Sequence, residues 1–153
     1  MKLKLKLIDN EIRLFPLSRT DIKEDLVIED SEYDLLVFEA NETNSELKIE
    51  NGKLVIKYNL EKLKELKKED LKKARQNYKK TQIIKNGFSV LDFEPYDCYN
   101  YFNLKGHKAG FTQEDENKFN EIIDVIIEKY DNYKNQIKQA KNKEELDKIQ
   151  FTF

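Results

Sequence analysis

Between Asp92 and His107 the chain gathers the side chains best able to do chemistry: Asp92, Glu94, Asp97, Cys98 and His107. Two carboxylates two positions apart, with a third close behind, offer the oxygen donors that a hard cation takes. The Asp-x-Asp-x-Asp-Gly loop that would wrap them round one ion is missing and Pro95 stands inside the cluster, so no metal site is expected. Cys98 and His107 could form a thiolate–imidazolium pair, because a neighbouring imidazolium lowers the thiol pKa and the ring supplies a base. No third group to orient the histidine and no oxyanion-hole sequence accompanies them. A small apolar cysteine among tyrosines and a histidine in a turn account for both residues without catalysis. The chain has no P-loop, Gly-x-Gly-x-x-Gly, Gly-x-Ser-x-Gly or His-Glu-x-x-His motif, and its four glycines leave little for a phosphate cradle. The expectation is a nonenzymatic protein without metal or cofactor.

The elements around this segment are easier to read. Lys2-Leu3-Lys4-Leu5-Lys6-Leu7 alternates with period two, as a strand with one buried face does. Asp9-Asn10 is a plausible two-residue turn, which sets Leu7 opposite Ile12 and Leu5 opposite Leu14; Pro16 then ends the pairing. Asn51-Gly52 predicts a type I′ turn, since both central positions need positive φ. In that register Ile49 faces Leu54 and Leu47 faces Ile56, while Glu50 faces Lys53 and Glu46 faces Lys57. Leu26-Val27-Ile28 and Leu35-Leu36-Val37-Phe38 read as two more short strands. Together these segments predict a small antiparallel sheet of about four to six strands.

From Leu60 to Lys85 no glycine or proline interrupts a run of helix formers, and Asn86-Gly87 follows as a stop signal. Seven aromatics then fall between Phe88 and Phe111, with Tyr99 to Asn103 and Lys108 to Phe111 predicted as a short strand pair that packs its rings on the helices. Thr112 opens a long amphipathic helix as its N-cap. Phe119, Ile123, Ile126, Tyr130, Tyr133, Ile137 and Ala140 recur along it at spacings of three and four, and this C-terminal seam is the first candidate interaction surface. Asn142 can cap a second short helix holding Leu146 and Ile149, and the tail Phe151-Thr152-Phe153 is apolar enough to need a partner. The fold class expected is α+β: a β-rich subdomain over 1–59 and an α-rich one over 60–153, either separate or one continuous domain, in the order N-terminal hairpins, basic helix, aromatic strand pair and long amphipathic helix.

Charge is segregated although the net is only −2. Residues 60–85 carry net +6, but the bases are spread round the helix and include a single arginine, Arg75, which argues against nucleic-acid reading. Asp21 to Glu50 contains 11 acids against Lys23 and Lys48. Its centre, Glu29, Asp30, Glu32 and Asp34, is the second candidate surface, able to meet a basic partner or to mimic nucleic-acid phosphate. Cys98 is the only cysteine, so no intrachain disulfide can form. Met1 to Ile8 lacks the apolar core of a signal peptide, and no stretch approaches the roughly 18 apolar residues of a membrane span. A soluble, intracellular product is expected.

Over Leu71 to Ile149 the order of elements resembles a known family. A charged helix leads into a Gly-aromatic strand (KKARQNYKKTQIIKNGFSV), an aromatic pair ending in Thr (YFNLKGHKAGFT) and a long amphipathic helix. It closes on Ile137, Ala140, Glu144, Glu145, Leu146 and Ile149. This order is similar to the domain of unassigned function near the C-termini of tail and tail-fibre-associated proteins of tailed bacteriophages and prophages. The resemblance implies a nonenzymatic tail-associated assembly role through protein–protein contacts, with a protein partner or self-association, in the host bacterial cytoplasm and then the virion. It brings no catalytic residues. An alternative of a different class is a small phage-encoded inhibitor of a host defence nuclease, anti-CRISPR-like, acting through the acidic patch.

Overall fold

The computed structural model describes residues 1–86 and 112–153. The fold is α+β, and the chain divides into two compact units, Met1–Leu63 and Lys64–Phe153. In the first unit, β1 (Lys2–Ile8) and β2 (Glu11–Pro16) form a hairpin in the expected register, Leu7 opposite Ile12 and Leu5 opposite Leu14. Asp9 and Asn10 have φ of 52° and 65°, the left-handed pair that a type I′ turn requires and that Asp and Asn tolerate. β3 (Leu26–Glu29) runs antiparallel along the other side of β1, giving the order β2-β1-β3. Helix α1 (Asp30–Glu42) follows, then the hairpin β4 (Glu46–Glu50) and β5 (Lys53–Lys57), closed by Asn51 and Gly52 at φ 51° and 71°. Its register also matches expectation at every pair.

Two sequence expectations fail here. Leu35-Leu36-Val37-Phe38 lies in α1 and not in a strand. Four consecutive apolar residues carry no period of their own; the wider spacing does, because Tyr33, Leu36 and Ala40 fall on one helical face and Asp30 and Glu32 supply a first-turn acid pair. The described strands also form two sheets, of three and two strands, and not one: β4 pairs with β5, and neither is paired with β1, β2 or β3. Both sheets nonetheless share one core. Leu5, Ile28 and Leu54 are buried at its centre, with Leu3, Ile12, Leu26, Leu47 and Ile49 from the strands and Tyr33 and Leu36 from α1 packed round them.

The connection from β2 to β3 is strapped to β1 by polar contacts. The Arg19 guanidinium donates to both Asp21 carboxylate oxygens at 2.8 and 2.7 Å, and Lys4 Nζ donates to the Arg19 carbonyl at 3.1 Å and pairs with Glu24 at 3.4 Å. The Leu7 amide donates to Asp25 Oδ2, and the Asp25 amide to the Leu5 carbonyl, each at 2.8 Å.

The second unit is helical among its described residues. Helix α2 (Leu60–Lys85) begins in the first unit and continues into the second; α3 (Gln113–Gln139) and α4 (Lys143–Asp147) are its other described helices. Thr112 caps α3 in a reciprocal box: its hydroxyl accepts from the Asp115 amide at 3.3 Å, and its own amide donates to Asp115 Oδ2 at 2.9 Å. Asn142 caps α4 by accepting from the Glu145 amide at 2.9 Å, as its sequence predicts. Leu71, Phe119, Ile126, Ile137, Leu146 and Ile149 are buried. The apolar tail finds its partners within the unit: Phe153 stacks on Tyr78 at 5.7 Å, and Phe151 meets the edge of Tyr133 at 5.2 Å. The expected strand pair at 99–111 and the stop at Gly87 lie outside the described residues.

Leu5→Ala should destabilise the first unit by about 2–5 kcal/mol, the usual cost of emptying a fully enclosed leucine site; urea denaturation followed by circular dichroism measures it. Arg19 holds the Asp21 carboxyl at about 2, below its ordinary 3.8. A carboxyl whose pKa folding lowers stabilises fully above its unfolded value and loses that contribution as pH falls through the folded one. Asp21→Asn should therefore flatten the stability loss between pH 3.8 and about 2 while leaving the variant slightly weaker at neutral pH, as read from denaturation midpoints in a pH series.

Candidate functional site

Helix α1 is apolar on two faces, and only one is needed to cover the core. Tyr33, Leu36 and the buried Ala40 face inward. Leu35 and Phe38, three positions apart and so neighbours on the helix surface, stand 71% and 66% exposed. Leaving two such side chains in water forgoes roughly 1.5–3 kcal/mol each relative to full burial. By helical spacing Ser31 and Glu42 continue their line, with Glu32 and Glu39 along one flank and Asp34 along the other.

The helix is held at both ends, so this face has a defined direction. At its start the Asp30 amide donates to the Met1 carbonyl at 2.8 Å. At its end the buried Thr43 hydroxyl donates to the Glu39 carbonyl at 2.7 Å and meets the Ser45 hydroxyl at 2.8 Å, which in turn accepts from the Asn59 amide at 2.9 Å. The Tyr58 hydroxyl donates to the Glu39 carboxylate. These bonds tie the C-terminus of α1 to the chain leaving β5.

The surrounding charge is of one sign in sequence: from Glu24 to Leu47 there are nine acids and no lysine or arginine. The candidate acids differ in how they are engaged. Glu29 and Asp30 lie 3.5 and 3.0 Å from the Met1 amino group, whose hydrogen bond holds the Asp30 carboxyl below the ordinary carboxylate range. Glu32 and Asp34 form no ion pair with another described residue and are exposed. Glu42, at the far end of the same face, is also exposed. The outer face of α1 is therefore an apolar pair ringed by carboxylates, a shape and charge suited to an apolar pocket with a basic rim.

The other sequence candidate, the seam on α3, is largely occupied from within its own unit. Phe119, Ile126 and Ile137 are buried, and Ile123, Tyr130 and Tyr133 are half-buried. Arg75 lies over the Tyr130 ring at 4.2 Å. The Tyr133 hydroxyl donates to the Thr152 carbonyl and accepts from the Thr152 amide, both at 2.9 Å. Asp92, Glu94, Asp97, Cys98 and His107 lie outside the described residues; among the described ones no three potential ligands gather as a metal site would require.

Leu35 and Phe38 were not among the sequence candidates. Once residues 30–42 are projected at the helical period their outward position is legible, and reading them as a strand conceals it. No protein-family model, curated protein or solved structure matches the chain. Among the described residues no helix is long and apolar enough to cross a membrane.

Two leucines side by side on α1 should respond oppositely to truncation. Leu35→Ser and Phe38→Ser should each leave the unfolding free energy within about 0.5 kcal/mol of the parent, as open surface positions do. Leu36→Ala should cost about 2 kcal/mol or more. Equal losses at positions 35 and 36 in urea titrations would mean that the outer face is covered.

Proposed function

We propose that this chain is a nonenzymatic phage or prophage tail-associated assembly protein that works through protein–protein contacts, with the outer face of α1 as its principal contact. The observation that carries the reading is the exposure of Leu35 and Phe38, 71% and 66%, on a helix bonded at both ends. Interfaces of this kind put apolar anchors at the centre and leave charge at the rim. The carboxylates of Glu32, Asp34 and Glu42 suit a partner whose rim is lysine and arginine, which speeds encounter and excludes acidic competitors. The tail setting rests on the resemblance read from the sequence over Leu71 to Ile149; of its closing signature, Ile137, Ala140, Leu146 and Ile149 are buried. In this setting the protein is made in the host bacterial cytoplasm and carried into the virion.

The second reading, an inhibitor of a host defence nuclease, draws on the same acidic helix through Glu29, Asp30, Glu32 and Asp34. A phosphate mimic works best with carboxylates at its centre, whereas here the centre is apolar, which favours docking to a protein pocket.

Co-expression of the tagged chain with the proteins encoded beside it tests the proposal. The expected outcome is co-purification with a tail protein at fixed stoichiometry, weakened about 30-fold or more by Phe38→Glu, the effect of losing a central anchor of about 2 kcal/mol, with no change in melting temperature. A strict monomer in light scattering that no neighbouring tail protein retains would sink the assembly reading. Inhibition of a nuclease that is abolished by reversing Glu32 and Asp34 and spared by Phe38→Glu would favour the second.

A further inference from the structure

The two sheets of the first unit do not match in width. The inner face of β2-β1-β3 runs out to Leu7 and Leu14, by the registers Leu7 opposite Ile12 and Leu14 opposite Leu5. Among the described residues the second sheet has two strands. Leu5 is fully buried, while Leu7 is 46% and Leu14 42% exposed. Where the cover stops, a cavity of about 740 Å³ opens, lined by Leu7, Asn10 and all five residues of β4. That volume is within the range of built ligand sites, roughly 300–1,000 Å³.

Among the described residues, β4 pairs with β5 alone along this cavity. The two-residue turn makes Glu50 and Lys53 the closing hydrogen-bonded pair, and antiparallel alternation then turns the N–H and C=O groups of Leu47 and Ile49 away from β5, toward the open edge. No hydrogen bond joins those groups to another described residue. A row of alternating donors and acceptors is matched best by another extended backbone.

We propose that the open edge of β4 receives an extended segment of a partner protein as a third strand, which fills the cavity and covers Leu7. β4 also sets the chemistry of that segment. Its core side carries Leu47 and Ile49, and its other side carries Glu46, Lys48 and Glu50. On its occupied edge it has selected Lys53-Leu54-Val55-Ile56-Lys57, with a lysine opposite each glutamate and Val55 opposite Lys48. A guest on the other edge obeys the same cross-strand rule: basic residues flanking an apolar centre. A second copy of this chain fits poorly, because full antiparallel pairing of β4 with β4 sets Glu46 against Glu50 and Lys48 against Lys48, like charges directly opposite. The occupant proposed is accordingly a segment of a different protein, chosen by this charge match. This surface is separate from the outer face of α1 and stands whether or not the chain belongs to a tail.

The probe is the synthetic peptide Gly-Lys-Leu-Val-Ile-Lys-Gly, titrated into the full-length protein with amide hydrogen exchange as readout. Saturable binding should slow exchange of the Leu47 and Ile49 amides about 10-fold or more, and a peptide with both lysines changed to glutamate should bind at least about 10-fold more weakly. Leu7→Lys, which places a charge in the cavity without touching β4, should weaken the first peptide about 10-fold while the Leu5 amide keeps its protection. The proposal is overturned if millimolar peptide leaves the Leu47 and Ile49 amides unprotected, or if both peptides bind alike. It is equally overturned if raising the concentration of the protein alone protects those amides, which would make a second copy the occupant. Each of these outcomes is independent of the co-purification that tests the α1 surface.

Discussion

Strand register is the constraint on which the first unit depends. Side chains alternate across a strand, so a slip of one residue in either hairpin would turn Leu5, or Leu54, from the core to solvent and bring lysines inward. Two turns prevent it. Asp9-Asn10 and Asn51-Gly52 sit in the left-handed region at both positions, and that geometry admits only one closing pair in each hairpin. Everything nearer the surface follows from this: with Leu5, Ile28 and Leu54 brought together, α1 has an apolar floor to lie on, and its second apolar face is left outward.

What could be read from the sequence tracks how local its cause is. Both hairpins, their registers and the caps at Thr112 and Asn142 depend on residues within a few positions of one another, and each was legible before any tertiary information. Leu35–Phe38 was not, because a four-residue apolar run satisfies a buried strand and a two-faced helix equally. In the helix, Tyr33 and Leu36 pack on the core built round Leu5, Ile28 and Leu54, a contact that the apolar run does not itself encode. The division into two sheets was hidden for the same reason. Of the candidate surfaces, the acidic run was visible as composition, but the apolar pair at its centre became visible only once the helix was known.

The seam on α3 illustrates a related ambiguity. A heptad-like spacing states that one side of a helix is to be buried and does not state by what. Here the cover comes from inside the unit, down to the tail, where one tyrosine hydroxyl both donates to and accepts from the backbone of Thr152. The aromatic residues at 130 and 133 are matched to this duty: Tyr130 offers a ring face to Arg75, and Tyr133 offers a ring edge to Phe151 together with a polar tip. An aliphatic seam would have lacked both partners.

The boundary between the two units falls between Leu63 and Lys64, inside α2 and not in a linker. The helix is started on the first side, where the Asn59 side chain accepts from the Lys62 amide at 3.2 Å and the Asn59 carbonyl from the Leu63 amide at 3.0 Å. A genetic exchange at that boundary would strip the remaining helix of its first turn and leave four backbone amides without acceptors. Cut at that point, the helical unit would begin on an uncapped helix, whereas a cut ahead of Asn59 would carry the cap along with it.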